Sequence, residues 1–284
     1  MRHIDAFCTI STLAALLCMN LYRGQRTFPM TIVTIFNQKG GVGKTTTALN
    51  LAAALARRER APYAIDLDPQ AQLSSIIGVH AQSGDDTVLS LFQRNRPLRE
   101  ILRKAQSGIE VIPSHMELSK VDSLFGKGYN VVNRLNSSLR GERLAHDGQP
   151  LLIDCSPLIS VLTLNAIFAC HCIIVPISAD YLSAQGAIQI AKTLNALEPV
   201  LKRRISRRYL LTRFDGRRRM AWDVLRTVEE NFGSEVCHTR IAENVSLAES
   251  PAFGKTVFDH APNSRGAHDY DELLEELLAS GFID

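Results

Sequence analysis

Lys39-Gly40-Gly41-Val42-Gly43-Lys44-Thr45-Thr46 is the stretch on which the fold turns. An apolar, β-branched run, Thr31-Ile32-Val33-Thr34-Ile35-Phe36, precedes it and predicts a buried strand. Ala48-Leu49-Asn50-Leu51-Ala52-Ala53-Ala54-Leu55-Ala56 follows, and its residues favour helix. Strand, glycine loop, helix is the context in which such a motif cradles the phosphates of a nucleotide. Glycines let the backbone curl and turn its N–H groups toward anionic oxygens. The positive end of the following helix adds to the attraction. Gly40, Gly41, Val42, Gly43, Lys44, Thr45 and Thr46 are therefore the candidate phosphate cradle. Lys44 is expected to reach the β- and γ-phosphates, and the Thr45 hydroxyl to ligate Mg²⁺. In the strict pattern G-x-x-x-x-G-K-[ST] the first position is glycine; here it is Gln38, and Lys39 sits just inside the loop. That departure separates the chain from ordinary phosphate-loop enzymes.

Bulk properties narrow little further. With 284 residues, 45% hydrophobic and 21% charged, the chain has the composition of an ordinary soluble protein with room for a full α/β core. A net charge of +3 does not by itself imply nucleic acid. Cys8, Cys18, Cys155, Cys170, Cys172 and Cys237 lack framework spacing and are expected to be free thiols. Cys170-His171-Cys172 resembles a metal fragment, but it runs into an apolar strand and lacks a second ligand pair, so a core role is the better reading.

Residues 1–29 form an N-terminal extension in which Arg2 and His3 precede an apolar stretch, Ala6 to Tyr22, interrupted by Thr9, Ser11, Thr12 and Asn20. It is short and polar for a membrane span, and export makes little sense for a nucleotide-binding protein. Met30 as the true start, just before the first strand, is the favoured reading. No linker or repeat divides residues 30–284, which are read as one nucleotide-binding domain.

Pro62-Tyr63-Ala64-Ile65-Asp66 predicts a second strand, and Asp66-Leu67-Asp68-Pro69-Gln70 places two carboxylates at its carboxyl end, where open α/β sheets handle ligands. Such a pair can orient metal-bound water or the attacking water itself. Short amphipathic helices are expected around Val88–Phe92 and Leu98–Leu102, a strand at Ile109–Pro113, and helix over 115–146 with an interruption at Gly126-Lys127-Gly128. Leu151-Leu152-Ile153-Asp154 is an apolar strand ending in an aspartate suited to the Mg²⁺ shell, and Cys155-Ser156-Pro157-Leu158 would form the loop that senses the γ-phosphate. Strands at 172–176 and 209–213 alternate with helices at 184–197 and 217–232. Alternation with continuous apolar strands predicts a doubly wound, mostly parallel sheet of about seven or eight strands flanked by helices.

With these motifs in place, the chain from Met30 almost to its end resembles the ParA family of partitioning ATPases, within the ParA/MinD group of P-loop ATPases with a deviant Walker A loop. The resemblance rests on Lys39–Thr46, Asp66–Gln70 and Leu152-Ile153-Asp154-Cys155. It also rests on Thr163-Leu164-Asn165-Ala166, Asn244-Val245-Ser246-Leu247-Ala248-Glu249-Ser250-Pro251 and Ser264-Arg265-Gly266-Ala267. It implies a cytoplasmic, Mg²⁺-dependent ATPase whose ATP-bound monomers pair face to face as a homodimer. Lys39 would cross to the partner's phosphates, Asp68 would position the attacking water, and Thr45, Asp66 and Asp154 would hold Mg²⁺.

The resemblance further implies non-specific DNA binding, association with the nucleoid, and an activating ParB-like protein. Lys202 to Arg219 holds nine basic residues against Asp215 alone, so Lys202, Arg203, Arg204, Arg217, Arg218 and Arg219 are the candidate DNA contacts. One departure weighs against this: where the family reads Pro-Arg-Asn-Val-Arg, this chain has Ala242-Glu243-Asn244-Val245-Ser246. A MinD-like membrane role needs a basic amphipathic C-terminus. The terminus here carries Asp269, Asp271, Glu272, Glu275 and Glu276 with no lysine or arginine after Arg265, so no membrane contact is expected. An iron–sulfur reductase of the same fold needs two cysteines facing the dimer axis, and only Cys155 is near a suitable place.

Overall fold

A computed structural model describes residues 31–60, 62–126, 128–142, 144 and 148–283. The extension at 1–29 and the candidate start at Met30 lie outside the described residues.

The first strand, β1 (Ile32–Ile35), runs directly into the glycine loop, from which α1 (Lys44–Ala56) emerges. Next come β2 (Tyr63–Asp66), the short α2 (Gln72–Ile76), α3 (Val88–Arg94) and α4 (Leu98–Ile101). The strands β3 (Arg103–Lys104) and β4 (Glu110–Ile112) lead to three short helices, α5 (Val121–Phe125), α6 (Tyr129–Val132) and α7 (Arg134–Gly141). The second half runs through β5 (Leu151–Asp154), α8 (Val161–Ala169), β6 (Cys172–Ser178), α9 (Tyr181–Leu201) and β7 (Ser206–Thr212). It finishes with α10 (Arg219–Phe232), α11 (Val245–Glu249), α12 (Val257–His260) and α13 (Arg265–Ala279).

The seven strands lie in the order β3-β4-β2-β5-β1-β6-β7. All pairings are parallel except that of the two-residue edge strand β3 with β4. Burial on both faces explains the uninterrupted apolar strands. Val33, Ile35, Ala64 and Leu152 pack with α1 and α13 on one side, whereas Ile32, Ile65, Ile153 and Val175 pack with α8, α9 and α10 on the other. The expected architecture is therefore the observed one. Cys170 and Cys172 are both core residues but lie in opposite layers, because Cys170 caps the end of α8 and stands outside the alternation of β6, which begins at Cys172.

Several expectations needed adjustment. β3 has only two exposed residues and leaves no periodic trace. Among the described residues of 115–142 the expected helix is a 3₁₀ turn followed by three short helices: the interruption expected at Gly126, where φ is +65°, is present, and a second one falls after Val132. α9 extends from 181 to 201 and accommodates Pro199 in its last turn. α8, read in the sequence only as a motif, is a fully formed helix capped by Ser160, whose Oγ accepts the Thr163 N–H.

The neighbours β1 and β5 send their helices to opposite faces of the sheet, α1 to one and α8 to the other. Such a switch point opens a crevice at the carboxyl ends of the strands. The glycine loop and Asp154 both lie there.

Candidate functional site

The loop owes its shape to two left-handed glycines, Gly41 at φ +74° and Gly43 at φ +87°. A residue with a Cβ is strained there, and Gly43 is the residue from which α1 starts. Two anchors hold the loop: Asn37 Nδ2 donates to the Pro176 carbonyl at 2.7 Å while its Oδ1 accepts the Lys39 N–H at 2.9 Å. Thr212 Oγ1, at the end of β7, donates to the Val42 carbonyl at 2.9 Å. Lys44 folds back over the loop, its Nζ 2.9 Å from the Lys39 carbonyl. Burial lowers its pKa, and the charges of Asp154 and Asp68 oppose that shift.

Register brings the acidic groups together: Asp66 and Asp154 are direct partners across the β2–β5 pair. Burial raises the Asp66 carboxyl to about 6, although it accepts hydrogen bonds from the Asp68 N–H at 3.1 Å and from the Ser74 N–H and hydroxyl at 2.9 and 2.6 Å. Asp154 is raised well above the ordinary range by burial first and by the charge of Asp66 second. Neither of its oxygens has a hydrogen bond of normal geometry, although the Thr45 hydroxyl is near enough to favour the ionised form. A buried carboxylate without a donor is costly unless a cation meets it. Asp154, its neighbour Asp66 and the half-buried Thr45 are oxygen donors of the kind Mg²⁺ takes, so the site fits that ion.

Asp68 stands one step out, half-buried and lining a cleft of about 530 Å³. Gly40, Gly41, Gly43, Lys44, Thr45 and Thr46 form one wall of this cleft. Thr212, Arg213 and the segment from Ile241 to Leu247 form another. That second wall escaped the sequence reading. Its signals were the end of the last strand at Thr212-Arg213 and the Asn244 motif, noted as a resemblance without a place in the site. Arg213 adopts φ +51°, uncommon for a side chain of this size, and such strain gathers at functional clefts. Asn244 caps α11 by accepting the Leu247 N–H, and Asp269 Oδ2 on α13 accepts the Ala242 N–H at 2.8 Å. Gly266 is needed for close approach, since a Cβ there would sit 2.6 Å from Leu247. The two C-terminal motifs thus build the wall by packing on each other.

The switch-loop motif resolves similarly. Thr163 Oγ1 donates to the Leu158 carbonyl at 2.6 Å, and Asn165 ties α8 to the backbone of Val131 and Leu135. Cys155 is buried, and burial raises its thiol pKa, so it does not face outward as a bridging cluster ligand must.

Lys39 makes contacts within its own chain. Its Nζ lies 2.6 Å from Asp180 Oδ1 and 2.8 Å from Ser183 Oγ. Burial works against the charge of Asp180, but hydrogen bonds from Lys39, Ser178 and Ser183 outweigh it and hold the carboxyl well below the usual range.

The six basic residues singled out as DNA contacts form two groups rather than one. Lys202, Arg203 and Arg204 precede β7, and Arg217, Arg218 and Arg219 follow it, roughly 20 Å apart along a seven-residue strand. Arg203 donates to the Cys170 carbonyl, and Arg204 pairs with Glu235 at 2.9 Å. Arg217 pairs with Asp215 at 2.9 Å, Arg218 with Asp215 at 3.2 Å and Glu243 at 3.4 Å, and Arg219 with Asp223 at 3.9 Å. Part of the local charge excess is met, by Asp215 within the run and by Glu235, Asp223 and Glu243 from outside it.

Comparisons with known proteins identify the family. A family model described as an AAA domain matches residues 30–207. The chromosome-partitioning ATPase Soj of Thermus thermophilus is 39% identical over 249 residues, covering 87% of this chain and 95% of that protein. The chromosome partitioning protein ParA of Myxococcus xanthus is 34% identical, covering 87% of each. Among solved structures, cobyrinic acid a,c-diamide synthase of Mycobacterium smegmatis with a bound ATP analogue and magnesium superposes with a TM-score of 0.75 at 26% identity, covering 88% of this chain and 94% of that one. A phosphate loop carrying an extra lysine, set in this sheet order and matched along nearly the whole of its partitioning relatives, places the chain in the ParA/Soj family of P-loop ATPases.

Proposed function

We propose that the chain is an ATP-dependent dimerising switch that hydrolyses ATP to ADP and phosphate and positions DNA or another cargo through non-specific DNA binding. Lys44 and the N–H groups of the loop hold the phosphates, and Thr45, Asp66 and Asp154 hold Mg²⁺. The ion neutralises charge that develops on the phosphates. Asp68, which lines the cleft, orients the attacking water. Lys39 supplies positive charge to the partner's phosphates, the part an arginine finger plays in other phosphoryl-transfer enzymes.

The observation that carries this reading is the surroundings of Lys39. Its tether Asp180 begins a helix whose next residues, Tyr181 and Leu182, are exposed, as are Leu158 and Ile159 in the switch loop. Apolar side chains beside a half-exposed lysine suit a face that a second copy covers. ATP would then act as the ligand that favours the paired state, and hydrolysis would reset it. Light scattering of the chain with ATP, with ADP and without nucleotide tests this. Dimer is expected with ATP only, and a Lys39→Ala variant should bind nucleotide as a monomer. Dimerisation of that variant equal to wild type overturns the assignment.

DNA contact is assigned to Arg217, Arg218 and Arg219 with Lys202, Arg203 and Arg204 as a second group. Filter binding with ATP at two salt concentrations is the test, since phosphate contacts weaken steeply with salt. Retention that does not change with salt counts against it. The setting is cytoplasmic and nucleoid-associated, with a ParB-like activator. Among the described residues no helix is long and apolar enough to cross a membrane.

A further inference from the structure

Behind the two acidic residues of the cleft lies a closed ring of hydrogen bonds that the sequence motifs do not announce. Ser74 Oγ donates to Asp66 Oδ2 at 2.6 Å and accepts the Ser114 N–H at 3.0 Å. Ser114 Oγ in turn donates to the Asp68 carbonyl at 2.6 Å. The Asp68 N–H then donates to Asp66 Oδ1 at 3.1 Å and closes the ring. Asp66 sits at the end of β2, Ser74 on α2 and Ser114 just beyond β4, so three elements are joined through two hydroxyls.

The direction of every proton in this ring is determined. Ser74 has one hydroxyl proton, and because its oxygen already accepts an amide N–H, that proton goes to Asp66. Ser114 spends its amide proton on Ser74 and its hydroxyl proton on Asp68. Both serines are buried, at 1% and 3% exposure, and neither lines the cleft, whereas Asp68 does. The ring therefore acts on the reacting region only through the two aspartates. Polarised, fully satisfied networks of this kind rigidify what they hold, and a reacting group held in place before substrate arrives needs no reorganisation at the moment of reaction.

We propose that Ser74 and Ser114 are positioning residues for hydrolysis, holding the Asp66 carboxylate and the Asp68 backbone at a set separation by a hydrogen-bonded bridge from β4. This rests on the reading of Asp68 as the group that orients the attacking water. Ser114 is the more informative position, because its side chain touches only the Asp68 backbone within the ring and not Asp66. Removing its hydroxyl loosens Asp68 while leaving the phosphate loop untouched.

The test compares wild type, Ser114→Ala, Ser114→Thr and Ser74→Ala. For each, kcat and KM for ATP are measured at saturating Mg²⁺, along with the Kd of a fluorescent ATP analogue and the ATP-dependent dimer fraction. Ser114→Ala is expected to lower kcat about 10- to 100-fold, the scale of a misplacement near 1 Å. KM, Kd and dimer fraction should stay within about twofold, because neither the loop nor the pairing face is altered. Ser114→Thr, which keeps a hydroxyl, should recover most of the rate. Ser74→Ala should show the same split, and it carries the test if Ser114→Ala does not fold. A folded Ser114→Ala with wild-type kcat overturns the proposal. So does a loss that appears equally in Kd, or one that Ser114→Thr does not recover. A wild-type chain that does not hydrolyse ATP refutes the reading of the site itself, which is a separate failure.

Discussion

Replacing Asp154 by asparagine should make the nucleotide-free protein more stable while destroying its chemistry. Asp154 is buried beside Asp66 with no hydrogen bond of normal geometry to either oxygen, and both carboxyls are raised by burial. For Asp66 the shift from 3.8 to about 6 corresponds to about 3 kcal/mol against the ionised form in the fold, at ~1.36 kcal/mol per unit. Asp66 suffers this despite three hydrogen bonds. Asp154 has only the nearby Thr45 hydroxyl and the charge of Lys44 to offset its burial. Asparagine removes the charge and the repulsion, but leaves an amide unsatisfied at a cost of about 1–2 kcal/mol. The net gain at pH 7.5 should be about 1–2 kcal/mol, or roughly 2–6 °C in Tm for a chain of this size.

The pH dependence follows from the sign of the shifts. A carboxyl whose folded pKa is raised favours the fold below its unfolded pKa, and that contribution disappears as pH rises through the folded value. For Asp66 the window runs from about 4 to about 6. The wild type therefore loses stability as pH rises across this range and the variant loses less, so the gap seen at pH 7.5 should narrow through pH 5 and close by about pH 4. Calorimetry in EDTA without nucleotide measures both points. With Mg²⁺-ATP the order should invert, since only the wild type gains the ion, and hydrolysis by the variant should fall at least about 100-fold. A variant less stable than wild type at pH 7.5 in EDTA, or a gap indifferent to pH, refutes the reasoning.

Other outcomes follow from single contacts. Gly43→Ala should cost about 1–2 kcal/mol because φ is +87°, with no clash to blame, as the added Cβ would meet nothing nearer than Thr212 at 3.8 Å. Gly43→Asn should cost less in a melting experiment, since asparagine tolerates that region. Asp180→Asn frees Lys39 from its ion pair and should lower the ATP concentration for half-maximal dimerisation several-fold in light scattering; an increase would mean that the pair aids assembly. Asp215→Asn combined with Glu243→Gln uncovers Arg217 and Arg218 and should raise DNA affinity about 3- to 10-fold at low salt, fading as salt screens it.

The amino-acid sequence alone was enough for the doubly wound sheet, because strands buried on both faces must be apolar throughout and helices must alternate with them. It was enough for the phosphate loop too, since a left-handed turn into a helix needs glycine where Gly41 and Gly43 stand. Asp66, Asp68 and Asp154 were legible as strand-end acids. What it could not convey was anything set by register or by distant partners. Asp66 and Asp154 meet only because β2 and β5 pair in one register. The second cleft wall needs α13 to hold Ala242 through Asp269. The basic run between Lys202 and Arg219 looked continuous because sequence counts charges along the chain. The fold places a strand between its halves and brings the distant Glu235 and Glu243 against Arg204 and Arg218. Local residue chemistry decides which elements form, whereas only tertiary packing decides which charges remain unpaired. Ion pairs act through space at a few ångströms, whatever the separation along the chain.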